Sequence, residues 1–207
     1  KDFSKDDLDF IADLCRQRDL LVITDEIYEH IVYDRHRHYC MAAFEGMRER
    51  TFVVNSISKT GNATGWRIGW VLSPEVYTTR LRSVHDTLVI QAPTPLQKGA
   101  ERLLRQDDAV LAGTGEKYAE KRQVLLDGLR QVGFRVSPPE GSYYLFADYR
   151  QVAALRHLAP MEAAMTLTEK VGVAPVPGDN FYRVGTAGVR YLRFAFCRSV
   201  DALEEAS

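Results

Sequence analysis

The sequence predicts an α/β fold, and three features of its pattern support this class. A helical pattern over residues 4–18 leads directly into a short apolar run over residues 20–24. A second apolar, β-branched run over residues 51–55 ends in small polar residues that suit a tight loop. Short continuous apolar runs are typical of parallel strands buried on both faces. We therefore expect a mostly parallel sheet with helices.

Composition is that of an ordinary globular chain. The 207 residues are 45% hydrophobic and 27% charged, which fits one large domain or two small ones. The formal net charge is −1 and basic residues are scattered, so we expect no nucleic-acid partner and no membrane surface. No apolar run approaches the ~20 residues of a membrane span.

The three cysteines, Cys15, Cys40 and Cys197, are odd in number, far apart and without C-x-x-C spacing. This pattern favours reduced thiols in a cytoplasmic protein. We expect no metal site.

The first helix and strand are predicted from capping and periodicity. Ser4 is the expected N-cap, with acidic residues in the first turn and basic ones in the last. The apolar face is expected to hold Leu8, Ile11, Ala12 and Leu14. The strand over residues 20–24 ends at Asp25, where an acid is also typical of a turn or a helix cap.

The stretch VVNSISKTGNATGWRIGW, residues 53–70, is the main candidate for a binding site. Lys59 follows a predicted strand, with Ser56 and Ser58 before it and Arg67 eight residues later. In open α/β sheets the carboxyl ends of strands border the ligand crevice.

Two nucleotide-binding motifs are excluded at this loop. A Walker A loop needs glycine directly before Lys-Thr, where this chain has Ser58, and Gly61, Gly65 and Gly69 do not form G-x-G-x-x-G. Serine and arginine can hold a phosphate, and a lysine can link covalently to an aldehyde. The loop therefore suits an anionic aldehyde cofactor.

Later elements follow the same patterns. We expect a helix over residues 74–90, a break over 91–97, and a helical stretch over 96–132 interrupted at Gly113-Thr114-Gly115, because paired glycines cost about 2 kcal/mol in a helix. Two short strands around a Pro-Pro-Glu-Gly turn, a helix over residues 161–171 and an alternating strand over residues 191–196 complete the pattern.

Arg193 lies in that last strand, within the run R-F-A-F, whereas Arg190 and Arg198 lie outside it. A buried arginine needs an acidic partner or a ligand, because burying it unpaired is costly. Its planar fork matches a carboxylate, which every α-amino acid and α-keto acid carries.

Four ordered motifs together carry a resemblance to a known family. D-E-x-Y after one strand, S-x-S-K after the next, then G-W-R-x-G and a late arginine resemble the fold-type-I, pyridoxal-phosphate-dependent aminotransferases of class I and II. The resemblance covers essentially the whole chain. It implies that residues 1–92 are part of the large cofactor-binding domain and that residues 93–207 are a small α+β C-terminal domain.

The resemblance also implies roles for the site residues. Lys59 is similar to the lysine that links covalently to pyridoxal 5'-phosphate and shuttles a proton, and Arg67 to the group that grips the phosphate with Ser56 and Ser58. Asp25 resembles the carboxylate that keeps the pyridine nitrogen protonated. Two further residues complete the implied site, Tyr28 at O3' of the cofactor and Arg193 at the substrate carboxylate.

The implied activity is amino-group transfer between an α-amino acid and an α-keto acid by a homodimer. The run PEGSYYLFAD resembles enzymes that act on neutral, aromatic or sulfur-containing substrates. Two alternatives stay open, a carbon-sulfur β-lyase and a non-catalytic effector-binding domain on the same fold.

The family pattern also implies that this chain is the C-terminal part of a longer enzyme. A preceding segment is expected to supply an aromatic residue, a glycine-rich turn and an asparagine at the cofactor. The strands that end at Asp25 and Ser56 are then expected to lack sheet neighbours and to expose apolar faces.

Overall fold

The chain folds into two compact units in a computed structural model that describes residues 3–107, 110–111, 113–183 and 188–206. The first unit is Lys1–Thr114 and the second is Gly115–Ser207. Among the described residues, no helix is both long and apolar enough to cross a membrane. The predicted domain boundary after residue 92 stays a prediction.

Helix α1, Lys5–Arg18, begins where the sequence predicts it. The Ser4 hydroxyl accepts the N–H of Asp7, and the Asp7 carboxylate accepts the N–H of Ser4, which completes a capping box. The buried face differs from the prediction, since Cys15 is buried whereas Leu14 is 39% exposed. The buried residues Leu8, Ala12 and Cys15 pack against Met41 and Met47.

The three cysteines are free thiols, as predicted. Cys15 is buried, Cys40 is half-buried and Cys197 is exposed. Burial raises the pKa of the Cys40 thiol, which keeps that thiol protonated at neutral pH.

The first unit contains a three-stranded sheet in the order β1-β2-β3, formed by Val22–Asp25, Thr51–Ser56 and Gly69–Leu72. Strand β1 pairs with β2 in parallel, and β2 pairs with β3 antiparallel. The predicted α/β class is confirmed, but this sheet is mixed rather than mostly parallel. The described loop over residues 57–68 joins β2 to β3 and contains no α-helix, the element that usually carries a parallel crossover, and β3 returns antiparallel.

The two faces of this sheet differ in burial. Val53 is buried on one face, whereas Ile23, Val54 and Val71 on the other face are 76%, 37% and 50% exposed. The prediction that the first strand is buried on both faces is therefore wrong for this chain, because β1 is an edge strand with one uncovered face. We call Ile23, Val54 and Val71 the open face.

The expectation that two strands lack sheet neighbours holds only in part. Strand β1 has a neighbour on one side, whereas β2 is paired on both sides. These strands were also expected to expose an apolar face, and the open face is such a surface.

Two helices follow the sheet in the first unit. Helix α2, Glu75–Leu88, matches the predicted helix but buries none of its residues. Helix α3, Thr94–Leu104, packs through Ala100 against Ile57 and Ile68, which flank the lysine loop. This helix therefore supports the candidate site.

The second unit is an α+β arrangement around a four-stranded antiparallel sheet in the order β4-β5-β7-β6. Its strands are β4 (Arg135–Val136), β5 (Tyr144–Asp148), β6 (Val176–Pro177) and β7 (Tyr191–Ala195). Its helices are α4 (Thr114–Gln131), α5 (Pro160–Val171) and α6 (Val200–Glu205).

Alternate residues of β5 and β7 build the core of this second sheet. Leu145, Ala147 and Leu192 are fully buried, and Phe194 is 5% exposed. The opposite face of the same strands carries Tyr144, Phe146, Tyr191 and Arg193.

Candidate active site

The carboxyl ends of β1 and β2 lie at the same edge of the first sheet. Their register pairs Asp25, the last residue of β1, with Val54, two residues before the end of β2. Strand β3 begins opposite that end, since Gly69 pairs with Ser56. The topology therefore brings Asp25, Ser56 and the loop over residues 57–68 to one sheet edge, where a ligand crevice is expected.

Hydrogen bonds order the loop that carries Lys59. The N–H of Ser58 donates to the Ser56 hydroxyl at 3.1 Å, and the N–H of Asn62 donates to the carbonyl of Lys59 at 3.2 Å. The Thr64 hydroxyl donates to the carbonyl of Ser58 at 3.0 Å. The loop is thus closed on itself on both sides of Lys59, which is half-buried.

Arg67 is connected to the serines through Thr64. Its Nη1 donates to the carbonyl of Thr64 at 3.0 Å, and the backbone of Arg67 is left-handed, with a φ of 55°. The side chain is exposed, so the remaining donors of its fork face solvent. Residues Ser58, Thr64 and Arg67 therefore form a linked set.

Close packing holds the loop against α3. A Cβ at Gly61 would lie 2.6 Å from Cδ2 of Leu103 and 2.8 Å from the carbonyl oxygen of Ile57. Any larger residue would push the turn after Lys59 away from the helix, so glycine permits this close approach.

Asp25 and Tyr28 lie in the turn that follows β1. The exposed Asp25 carboxylate accepts the N–H of Ile27 at 3.3 Å, which is a local turn bond. Tyr28 is half-buried, and its carbonyl accepts the N–H of Ile31 at 2.8 Å. The turn leaves the Asp25 carboxylate oxygens accessible at the sheet edge.

Two acids beside this turn, the buried Glu26 and the half-buried Glu29, were not predicted from the sequence. Glu26 is 6% exposed, and its carboxylate lies 2.7 Å from Nε2 of His38. Burial raises the pKa of Glu26, but hydrogen bonds led by the one from His38 outweigh it and bring the pKa below its ordinary value. Glu29 accepts a 2.6 Å hydrogen bond from the amide of Asn55.

These pairs join the turn after β1 to its surroundings. Asn55 belongs to β2, and its side-chain oxygen also accepts the N–H of Ser56 at 2.7 Å. His38 lies in a loop with no regular pattern, so the sequence offers no signal for its pairing with Glu26. For Asn55, a polar residue inside an apolar strand was a signal that could have been used.

Arg193 lies on β7 in the second unit, as the alternating pattern predicts. It is half-buried, and its Cζ lies 4.1 Å from the ring centre of Tyr144 and 4.4 Å from that of Phe181. Both contacts are at cation–π distance. The structure therefore places Arg193, a residue of the second unit, among aromatic rings.

The groups at the first sheet edge fit a phosphate-bearing aldehyde. The Ser56 hydroxyl accepts the N–H of Ser58, and within the described ranges its own hydrogen has no acceptor. It can therefore donate to a phosphate, as can the exposed fork of Arg67. Lys59 supplies an amine beside them, and Asp25 supplies a carboxylate for a protonated ring nitrogen.

Solved structures of aminotransferases share this fold. N-succinyldiaminopimelate aminotransferase from Mycobacterium tuberculosis aligns with a TM-score of 0.91 and 36% sequence identity, covering 98% of this chain and 52% of that one. The fold is thus that of an aminotransferase-type α/β protein.

Two curated relatives agree with this class. Kynurenine–oxoglutarate transaminase 1 of Homo sapiens is 31% identical, over 99% of this chain and 52% of the relative. Aspartate aminotransferase of Pyrococcus abyssi is 33% identical, over 98% of this chain and 51% of the relative. The profile of the family described as aminotransferase class I and II matches residues 1–206, and the chain belongs to this family.

The chain spans about half the length of the curated relatives it matches. The expected C-terminal position within such a relative stays a prediction. Members of the family generally depend on pyridoxal 5'-phosphate.

Proposed function

We propose that the intact protein is a pyridoxal 5'-phosphate-dependent aminotransferase that moves an amino group between an α-amino acid and an α-keto acid. The observation that carries this proposal is the shared sheet edge, at which Asp25, Ser56 and the hydrogen-bonded lysine loop come together. Binding this cofactor requires hydrogen-bond donors for its phosphate, an amine for its aldehyde and a carboxylate for its ring nitrogen.

The first unit would hold the cofactor. Arg67, together with Ser56 and Ser58, would bind its phosphate by charge-assisted hydrogen bonds. Asp25 would accept a hydrogen bond from its pyridine nitrogen and keep that nitrogen charged, and Tyr28 would donate to its O3'. When bound, the cofactor supplies an electron sink for the substrate Cα.

Lys59 would move the proton. The turn closed by Asn62 and Thr64 fixes its backbone, so the amine has a limited range from which to take a proton at Cα and return it. Arg193 would bind the substrate carboxylate with its planar fork. These two residues lie in different units of the chain.

A preference for neutral, aromatic or sulfur-containing amino acids belongs to the same proposal. Its support is the aromatic face around Arg193, where Tyr144, Phe146, Phe181 and Tyr191 offer their rings. The family resemblance further implies a homodimer, which sedimentation of the intact enzyme would test.

Covalent mapping tests the lysine. The full-length protein is incubated with pyridoxal 5'-phosphate, reduced with borohydride and digested, and modified peptides are identified by mass spectrometry. We expect one modified site, Lys59, and no modification in a Lys59→Arg variant. Modification at Lys98, Lys117 or Lys170 instead would contradict the assignment.

Product analysis tests the reaction. Over a panel of amino acids, we expect keto-acid product only in proportion to amino-group acceptor. Pyruvate and ammonia formed without an acceptor would identify a β-lyase instead, and cofactor binding without any product would identify an effector-binding role.

A further inference from the structure

The environment of Arg193 has a feature that its own role does not require. Its Cζ lies over two aromatic rings, 4.1 Å from the ring centre of Tyr144 and 4.4 Å from that of Phe181. We call these two residues the aromatic pair. Packing alone would be satisfied by aliphatic side chains, whereas a ring face against a guanidinium also fixes the plane of the cation.

The sheet places the two rings on opposite sides of β7. Strand β5 flanks β7 on one side and β6 on the other. Tyr144 pairs with Ala195, two residues beyond Arg193, so it is a diagonal neighbour of Arg193 on the same face. On the other side, Val176 of β6 pairs with Arg193. Phe181 is the last residue of the short helical turn Gly178–Phe181, which follows β6.

A close approach keeps that turn against β7. A Cβ at Gly178 would lie 2.5 Å from the carbonyl oxygen of Tyr191 and 2.6 Å from that of Gly188. Only glycine fits this spacing. The close contact at Gly178 therefore holds the turn that carries Phe181 next to β7, the strand that carries Arg193. The ring of Phe181 is further held by Phe146, with centroids 5.4 Å apart.

The edge of the guanidinium is left for a ligand. Within the part of the chain that the structure describes, Arg193 has no hydrogen bond and no ion pair. Cation–π contacts consume none of the N–H donors of the group. A half-buried arginine that is held between two rings and has unused donors is suited to a planar anion such as a carboxylate.

We propose that Tyr144 and Phe181 are positioning residues that hold the guanidinium plane of Arg193 for bidentate binding of the substrate carboxylate. The inference rests on the proposed role of Arg193 and adds the two residues that act through it. Without the rings, the long arginine side chain samples more rotamers and loses part of its fork geometry.

The test uses steady-state kinetics of the full-length enzyme with the amino acid, among the common twenty, for which the wild type has the highest kcat/KM. We expect Phe181→Leu and Tyr144→Leu each to raise KM by about five-fold with little change in kcat, on the scale of one cation–π contact. Phe181→Tyr and Tyr144→Phe keep the rings and should keep KM within about two-fold.

The matched control is Tyr182→Leu, an exposed aromatic residue next to Phe181 that makes no contact with Arg193 among the described residues. It should leave KM unchanged. Thermal unfolding of each variant, followed by circular dichroism, separates lost positioning from lost structure.

A double-mutant cycle links the effect to Arg193. Arg193→Lys should raise KM by at least about ten-fold, because a point charge replaces a fork, and adding Phe181→Leu to it should cost little more. If Arg193→Lys leaves KM unchanged, the carboxylate role itself is wrong. If Arg193→Lys acts as expected but Phe181→Leu matches Tyr182→Leu, only the positioning role is overturned.

Discussion

Thr64 connects Ser58 and Arg67, two of the proposed phosphate-binding residues, although no sequence motif identifies it. Its hydroxyl donates to the carbonyl of Ser58, and its own carbonyl accepts from Arg67. One side chain and one peptide group thus tie both ends of the loop around Lys59. Roles such as this depend on where the loop closes, which a linear pattern of residue types does not reveal.

Replacing Thr64 by valine removes the hydroxyl and keeps the shape and the backbone carbonyl. We expect a loss of about 1 kcal/mol in the free energy of unfolding, the net value of one hydrogen bond, and weaker binding of pyridoxal 5'-phosphate. Urea unfolding and cofactor titration of the full-length protein measure the two effects. Thr87→Val is the control, since its hydroxyl also donates to a carbonyl, that of Ser83, but on the exposed helix α2. Equal cofactor affinity in both variants would remove Thr64 from the site.

The buried Glu26 gives the protein a defined response to acid. Its folded pKa lies below the ordinary value of 4.5, despite the opposing effect of burial, because His38 hydrogen-bonds the charged form. A depressed carboxyl pKa stabilises the fold above the unfolded pKa, and this contribution is lost as the pH falls through the folded pKa. Stability should therefore decrease as the pH is lowered below about 4.5.

Removing His38 should reverse that response. Burial is the largest influence on the pKa of Glu26, and in His38→Leu only the hydrogen bond from Thr24 would still oppose it. We therefore expect the folded pKa to rise above the unfolded one, so that stability increases as the pH is lowered toward it. At pH 7 we expect a loss of about 2 kcal/mol for an unpaired buried carboxylate. Urea unfolding between pH 4 and pH 7 measures both, with His36→Leu, in an exposed part of the same loop, as the control. An unchanged pH slope in His38→Leu would contradict the pairing.

The candidate site residues could be identified from the sequence alone. Lys59, Ser56, Ser58 and Arg67 stand in a short stretch whose residue types already indicate a phosphate and an aldehyde. Their roles stay predictions. The roles of Thr64, His38 and the aromatic pair were missed, because Thr64 acts where its own loop closes and the others act through tertiary contacts.

Among the elements, helix α3 has the clearest part in the site. A Cβ at Gly99 would lie 2.5 Å from Cζ3 and 3.0 Å from Cη2 of Trp66, the residue next to Arg67. The helix thus approaches the loop closely enough for the indole to lie where a side chain would be. Glycine inside a helix costs about 1 kcal/mol relative to alanine, so this close packing must compensate for it.

Gly99→Ala should therefore destabilise the protein in spite of its better helix propensity. The expected loss is about 1 kcal/mol or more, because overpacking against a rigid indole outweighs the gain in propensity. In a Trp66→Ala background the sign should reverse, and Gly99→Ala should stabilise by up to about 1 kcal/mol. Thermal unfolding of the four proteins measures the cycle. Stabilisation in both backgrounds would show that Trp66 does not pack on α3.

The positions of helices and strands were predicted from the sequence more accurately than the burial of their faces. The predicted helices over residues 74–90 and 161–171 correspond to α2 and α5, and the predicted strand over residues 191–196 to β7. The predicted interruption at Gly113-Thr114-Gly115 is found at Gly113, a turn between the helical residues 110–111 and α4, which begins at Thr114. A further break after Leu104, the end of α3, was not predicted. Residues 108, 109 and 112 of that predicted stretch lie outside the described residues. Periodicity places an element, but the neighbours that cover it are set by the whole fold.

At the scale of the whole molecule, the open face is the main departure from an ordinary domain. Ile23 is 76% exposed and Val71 is 50% exposed, although β-branched residues in a sheet are usually covered. The sequence could not reveal which face of β1 is covered, because a continuous apolar run has no polar side to mark it. Contiguous apolar surface of this kind favours association.

We expect the 207-residue chain, expressed alone, to associate through this face, and the double variant Ile23→Lys with Val71→Lys to shift it toward monomer. If a further segment covers this face in the full-length protein, the same variant should there lose about 3 kcal/mol or more of unfolding free energy, because two charges would be buried. Sedimentation velocity of the first pair of proteins and urea unfolding of the second pair measure these opposite outcomes. The control adds the same charge at exposed polar positions, Gln131→Lys with Gln151→Lys, and should change neither. A full-length variant that stays within about 0.5 kcal/mol of wild type would show that the open face faces solvent there too.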